Sequence, residues 1–558
     1  MGDVKEKLKG LILQTLKQGF EKGDLNRVPV PPVELELPKL SAHGDFATNI
    51  AMVMAASQQR PPREVAKTIL NSINDTDHLL ARTEIAGPGF INFFISNEYW
   101  HKILKQIHEA DYAYGASDIG KGVKVQVEFV SANPTGPLHI GHGRGAAVGD
   151  TLCNILRASG YEAEKEYYIN DSGRQIRTLG LSVFLRYQEL HGASIDFPTD
   201  CYQGDYIRET AQTIAEKEGQ RLLGIPEDQA VDFCAKIAAS NILDGIKEDL
   251  IDFGVTFDHW FSEQSLFDSG AVEETLQNFK DQGTIYEKDG ALWFRTTAFG
   301  DEKDRVVVRA NGITTYFASD IAYHQDKLQR EFDKIIDIWG ADHHGYIPRI
   351  SACVEAMGYE KEKLKVILIQ LVNLLRGGTP VAMSTRSGEF VTLRAVIDEV
   401  GRDAARFIFL TRRYDSSLDF DLDLAKRQSN DNPVYYVQYV HARISSILRK
   451  ALADGISLPS SGGSVDLTQL TEPEELALIK CMAHFPTVVA ESAKLMEPHR
   501  IPFYLTELAS TFHSYYNKHR VLTDERALTL ARLYMVSAVR TIVRNGLNMM
   551  GVAAPESM

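Results

Sequence analysis

The stretch Val123-Lys124-Val125-Gln126-Val127-Glu128-Phe129, followed shortly by Asn133-Pro134-Thr135-Gly136-Pro137-Leu138-His139-Ile140-Gly141-His142, decides the fold. Valine and phenylalanine alternate with polar residues from Val123 to Phe129, which predicts a strand. A proline-bearing loop then enters a helical stretch that ends near Ser159-Gly160, where glycine suits a left-handed cap. A second strand is expected from Ala163 to Ile169. Strand, loop, helix and strand in this order open a parallel nucleotide-binding sheet.

The chemistry sits on the turn between the first strand and its helix. Parallel sheets place their ligand crevice at the carboxyl ends of the strands. The N-terminus of the helix offers unpaired N–H groups and partial positive charge to a phosphate. His139 and His142 can donate to phosphate oxygens as charge develops, and Gly141 lets the backbone approach closely. With 16 His and 41 Gly in the chain, composition alone yields roughly 0.03 His-x-Gly-His patterns, so coincidence is disfavoured.

Away from this unit, residues 1–112 mix helix and strand. Val4, Leu8, Leu11, Ile12 and Leu16 mark a first helix, and Gly87-Pro88-Gly89 leads into an apolar strand from Phe90 to Ile95. Gly115 to Gly122 reads as a linker. A Rossmann-type α/β catalytic domain is expected over 113–395, with a helical insertion near 190–275 that includes an amphipathic run from Ala230 to Phe253. Strand signals return at Lys334–Trp339 and Lys365–Ile369. A connecting segment covers 396–432. Residues 433–558 read as an all-α helix bundle broken by a Gly/Ser/Pro loop around Pro459–Gly463.

At 558 residues the chain exceeds what one hydrophobic core supports, so three or four domains are expected. The apolar runs are too short to span a bilayer, which needs roughly 18 residues. Charges at Asp3, Lys5, Glu6 and Lys7 argue against a secretory signal, and Glu6 stands where a myristoylation signal wants Ser or Thr. Cys153, Cys201, Cys234, Cys353 and Cys481 are scattered, so neither a disulfide framework nor a zinc site is expected, and a cytoplasmic location fits. A net charge of −15 argues at first against a nucleic-acid partner. From Pro433 to Met558, however, 12 Lys and Arg stand against 11 Asp and Glu, giving +1 there and −16 elsewhere, which leaves room for RNA on the C-terminal segment.

The turn at His139–His142 is the HIGH signature, and the chain resembles the class I aminoacyl-tRNA synthetases, specifically the arginine-specific family. The likeness extends through Glu128–Pro137, Tyr316–Asp320, Gly340–Gly345, Asp431–Arg443, Gly551–Glu556 and, near the N-terminus, Ala42–Asn49 and Gly87–Asn92. It implies an α+β N-terminal domain that touches the tRNA elbow and an anticodon-binding bundle. It also implies activation of L-arginine by ATP with Mg²⁺ once tRNA(Arg) is bound, then transfer to the 2′-hydroxyl of the terminal adenosine. Tyr316 and Asp320 would bind the guanidinium, while Ser131 and Asn133 hold the backbone groups of the amino acid, with Glu128 close by. Independently of the family, a guanidinium calls for carboxylates in fixed geometry, and Tyr316 and Asp320 share a face if their stretch is helical. Asp342-His343-His344 lacks further ligands for zinc, so Asp342 and His344 are expected to position substrate.

The second class I signature, KMSKS, is degenerate here. Its counterpart is Ala382-Met383-Ser384-Thr385-Arg386, with both lysines gone, which leaves Arg386 as the candidate for pyrophosphate. Some relatives compensate with a lysine just before HIGH, where this chain has Gly136. In the bundle, Tyr436, Arg443, Tyr516 and Lys518 are candidates for tRNA, since aromatics stack bases and cations hold phosphates. An aromatic stripe is as readily core, so one tyrosine of each pair (Tyr435 or Tyr436, Tyr515 or Tyr516) is expected to be buried. The expected partners are tRNA(Arg), L-arginine and ATP, with no DNA, membrane or structural metal, in a monomer. Two rivals stay open: a HIGH-type synthetase or adenylyltransferase of other specificity, and a non-catalytic tRNA-binding relative suggested by the lost lysines.

Overall fold

Five parallel strands form the catalytic sheet: β1 (Lys124–Glu128), β2 (Glu162–Ile169), β3 (His259–Ser262), β4 (Lys334–Gly340) and β5 (Leu364–Ile369), in the order β5-β4-β1-β2-β3. The order reverses direction at β1, so a crevice opens beside its carboxyl end. The computed structural model describes residues 2–38, 40–381, 391–458 and 465–558.

Helix α1 (Ile140–Ala158) follows β1 and caps at Ser159, and Gly160 adopts φ +81° as expected. It lies so close to the sheet that a Cβ on Gly149 would stand 2.2 Å from Phe129. The alternation that marked β1 does not separate core from solvent. Gln126 and Glu128 are 0% and 6% exposed, because β1 is the central strand and both its faces are covered. Their face meets α2 (Tyr316–Gln329) through polar partners instead.

The helices of the insertion begin and end earlier than the expected 190–275. Helices Gly173–Leu190, Asp205–Glu218 and Glu227–Asp252 share a core that includes Val183, Tyr187, Ile207, Ile214 and Val231. The stretch 190–275 also contains β3, an edge strand of four residues, too short for alternation to reveal. A three-stranded antiparallel sheet (Ile285–Lys288, Ala291–Phe294, Arg305–Val308) went unanticipated for the same reason.

The first helix, Gly2–Lys22, buries Val4, Leu8, Ile12 and Leu16 completely, beside a three-stranded antiparallel sheet that includes Phe90–Ile95. This N-terminal domain docks on the C-terminal bundle through Lys480 and Asp45 and through the His108 ring at the Tyr534 carbonyl. Residues 115–122 are not a free linker, since Ser117, Gly120 and Gly122 donate backbone bonds to Ala158, Ser159 and Gly160. The connecting segment is folded too: Leu418–Asp421 pairs in parallel with Val372–Arg376.

The bundle consists of α3 (Pro433–Ala453), Pro473–Leu495, α4 (Arg500–Lys518) and Arg526–Met549. The loop around Pro459–Gly463 lies largely outside the described residues. Among the described residues no helix is long and apolar enough to cross a membrane. All five cysteines are free.

Candidate active site

His139 is the N-cap of α1, and the two signature histidines build that cap between them. The Gly141 N–H donates to Nδ1 of His139 at 3.1 Å, and the His139 N–H donates to Nδ1 of His142 at 3.2 Å. The rings stack with centroids 3.7 Å apart. An Nδ1 that accepts fixes the neutral tautomer with its proton on Nε2, so each ring offers an N–H donor. Burial, with His139 adding to it, lowers the His142 pKa to about 3, and burial also lowers that of His139. The pair is thus suited to meet a phosphate as neutral imidazoles.

Leu138 and Ile140 are buried and flank His139 as anchors. The Ile140 N–H donates to the Val391 carbonyl, and the Leu393 N–H donates to the Leu138 carbonyl. Thus the chain straps the turn immediately after the second signature, whose Met383, Ser384, Thr385 and Arg386 lie outside the described residues. Pro134 is buried, and the Tyr206 hydroxyl donates to the Thr135 carbonyl at 2.7 Å. The Tyr206 oxygen would sit 3.2 Å from a Cβ on Gly136, so the insertion roofs the turn just before Pro137. Tyr202 lies beside both Thr135 and Tyr316.

Tyr316 opens α2 and is 47% exposed, and its ring approaches Gly173 at the start of the helix Gly173–Leu190. Asp320 lies one turn on. Its carboxylate accepts from the Tyr346 hydroxyl, and burial raises its pKa to about 6. Beside it stands Glu263, just beyond β3 and 2% exposed, which accepts from Ser172 at 2.8 Å and from Ser319. No lysine or arginine pairs with Asp320 or Glu263 among the described residues. Two buried carboxylates without a lysine or arginine partner leave this site short of positive charge.

Sequence reading missed Glu263 and Tyr346, and also Gln175, whose side chain accepts from Asn133 at 2.7 Å. Ser131 donates to Glu128 at 2.8 Å and accepts from the Tyr168 N–H. Asp342 and His344 follow β4 as expected but are exposed, and among the described residues no hydrogen bond or ion pair joins them to the acid pair. Tyr346, from the same turn, makes that link.

In the bundle, Tyr515 is fully buried and Tyr516 half-buried, as the pairing predicted. Tyr435, Tyr436 and Tyr439 do not divide that way, since all three are half-buried, with Tyr436 and Tyr439 against His513 of α4. Arg443 spans Tyr439 and Tyr516, while Lys518 is paired with Glu474.

Residues 6–95 match the arginyl tRNA synthetase N terminal domain, 104–416 the catalytic domain of class I (R) tRNA synthetases, and 437–558 the DALR anticodon binding domain. The chain is 58% identical to an arginine–tRNA ligase of Desulfosudis oleivorans over 556 residues, with both chains fully covered. The chain belongs to the arginyl-tRNA synthetases. Another arginine–tRNA ligase, from Syntrophotalea carbinolica, is 55% identical over the whole of both chains. A putative arginyl-tRNA synthetase from Campylobacter jejuni is 36% identical, with a TM-score of 0.76 over 83% of this chain and 100% of that one. The Thermus thermophilus arginyl-tRNA synthetase, 22% identical, shares the fold with a TM-score of 0.75 over 99% of this chain and 100% of that one. The arginyl-tRNA synthetase architecture thus runs through all three matched segments.

Proposed function

We propose that this arginine–tRNA ligase acts in two steps and that its specificity rests on the unpaired acids Asp320 and Glu263. The guanidinium is planar and always charged, so it supplies the charge that the pocket lacks. Tyr316 and Tyr346 flank it. Ser131 and Asn133 hold the amino and carboxylate groups, and Glu128 orients Ser131. Asp342 and His344, exposed at the rim, face the adenosine side.

In the first step the arginine carboxylate attacks the α-phosphate of ATP, forming arginyl-adenylate and releasing pyrophosphate. Nε2–H of His139 and of His142, together with the N-terminus of α1, stabilise the charge that builds on phosphorus oxygens. Mg²⁺ accompanies the phosphates of ATP. Arg386, five positions before the Val391 strap, is the candidate for the leaving pyrophosphate. In the second step the 2′-hydroxyl of the terminal adenosine of tRNA(Arg) attacks the activated carbonyl and releases AMP. Tyr516 and Arg443 offer a stacking and phosphate surface for the tRNA, with Tyr436 and Lys518 at its margins. The enzyme works as a cytoplasmic monomer.

The cation-deficient acid pair, together with the two neutral imidazoles at the N-terminus of α1, carries this reading. Pyrophosphate exchange with each amino acid, with and without tRNA(Arg), tests it alongside a charging assay. Arginine should drive exchange best, and preference for another amino acid would remove the assignment.

A further inference from the structure

Three carboxylates stand side by side on adjacent strands beneath the pocket. Glu128 pairs in register with Glu166 of β2 on one side and Asp337 of β4 on the other, so all three point toward α2. Like charges at such spacing repel unless neutralised. Arg330 covers Glu166, and the His324 ring meets Asp337 at 3.0 Å. Lys327, 0% exposed, lies between the other two acids, donating to Asp337 at 2.7 Å and to Glu128. Burial opposes its charge, but Asp337, Glu128 and Glu166 overcome that and raise its pKa.

Glu128 does not end there. Its second oxygen accepts from Ser131, in the loop that follows β1, at 2.8 Å. That loop begins with two successive non-glycine residues in the left-handed region, Val130 at φ +69° and Ser131 at φ +41°. The Ser131 N–H closes back on the Phe129 carbonyl at 3.0 Å, a three-residue turn whose positive-φ form is rare and strained. A β-branched residue at its centre makes the strain greater. The Tyr168 N–H holds Ser131 and the Tyr167 hydroxyl holds the Ala132 carbonyl, so side chains and backbone from β2 brace the same few residues.

We infer that Lys327 is a positioning residue for arginine activation: by clamping Glu128 against Ser131 it keeps the strained Val130–Ser131 turn in the shape that presents Ser131 and Asn133 to the amino acid. This rests on the proposed role of Ser131 and Asn133. Lys327 touches no substrate. Its effect passes through Glu128, across 199 positions of sequence from α2 to β1.

A lysine that only neutralised the acids would also matter for stability, so the deciding readout is rescue. Glycine adopts φ +69° without a Cβ penalty. Val130→Gly should therefore relieve the need for the clamp while leaving charge neutralisation untouched. The experiment compares the wild type, Lys327→Met, Val130→Gly and the double variant in arginine-dependent pyrophosphate exchange at saturating ATP and tRNA(Arg), with melting midpoints recorded. Lys327→Met should raise the arginine KM about tenfold or more while the ATP KM moves less than about twofold. Val130→Gly alone should stay within about threefold of wild type, and in the double variant it should recover most of the lost affinity although the melting midpoint stays low. Glu128→Gln, which weakens the clamp but keeps Lys327 paired with Asp337, runs the same comparison should Lys327→Met not fold. An equal arginine KM in the single and double variants, or a lowered midpoint with unchanged KM, overturns the inference. A wild-type chain without arginine-dependent exchange would instead bring down the functional reading beneath it.

Discussion

Two groups of buried carboxylates lie within a few side chains of each other and are treated in opposite ways. The floor acids Glu166, Glu128 and Asp337 are matched by Arg330, Lys327 and His324. Against the penalty of burial, Lys327 and His324 hold the Asp337 carboxyl down to about 2. The pocket acids Asp320 and Glu263 receive only hydroxyl donors, and burial lifts Asp320 to about 6. Matched partners mark the floor as scaffold, whereas buried acids without a lysine or arginine mark the pocket as the proposed binding site. In the proposed function, the substrate supplies to the pocket what the protein itself supplies to the floor.

Substitution should separate the two groups most sharply. Asp320→Asn or Glu263→Gln removes a buried charge that only the ligand satisfies, costing about 3 kcal/mol or more in binding, so kcat/KM for arginine should fall at least about 100-fold. The melting midpoint should hold or rise, because the free enzyme loses an uncompensated charge. A lowered midpoint with intact kcat/KM would place these acids in the scaffold.

Asp337→Asn should do the reverse. Breaking a buried, hydrogen-bonded ion pair costs about 3–5 kcal/mol, so the denaturation midpoint should drop clearly. The arginine KM should change far less than in the pocket variants, since Lys327 keeps its bond to Glu128.

Proton concentration probes the same contrast. Arginine needs the deprotonated form of Asp320, whose pKa is raised to about 6, so kcat/KM for arginine should decline about tenfold per pH unit as pH falls below about 6. Stability should not fall with it, since Lys327 and His324 hold the Asp337 carboxyl well below the usual range and protonating the buried Asp320 relieves its burial cost. Asp320→Asn should flatten the profile, and an unchanged profile would assign the limb to another group.

Much of this arrangement was legible in the sequence because its determinants are local. His139 and His142 lie three positions apart, Tyr316 and Asp320 one helical turn apart, β1 announced itself by alternation, and β4 and β5 by apolar runs. Glu263 was not legible. It is one acid beyond a four-residue strand, and its donors Ser172 and Ser319 lie 91 and 56 positions away. The partners of Glu128 and Gln126 were not legible either, because they arrive from β2 and α2 only in the folded sheet. Periodicity records which side chains are polar, not whether a remote cation has made burial tolerable.

The smallest effect concerns the roof over the phosphate turn. Tyr206→Phe deletes one hydrogen bond to the Thr135 carbonyl, worth about 0.5–1.5 kcal/mol, so the ATP KM should rise roughly two- to tenfold with the arginine KM nearly constant. An arginine KM that rises in parallel would mean that roof and pocket move as one.

The most direct test asks whether the missing cation is what the pocket selects. Citrulline matches arginine in shape but is neutral. In pyrophosphate exchange with tRNA(Arg) present, arginine should exceed citrulline in kcat/KM by about 1,000-fold or more, and Asp320→Asn should narrow that ratio by at least about tenfold. Comparable rates with the two amino acids in the wild type, or an unchanged ratio in Asp320→Asn, would contradict the account.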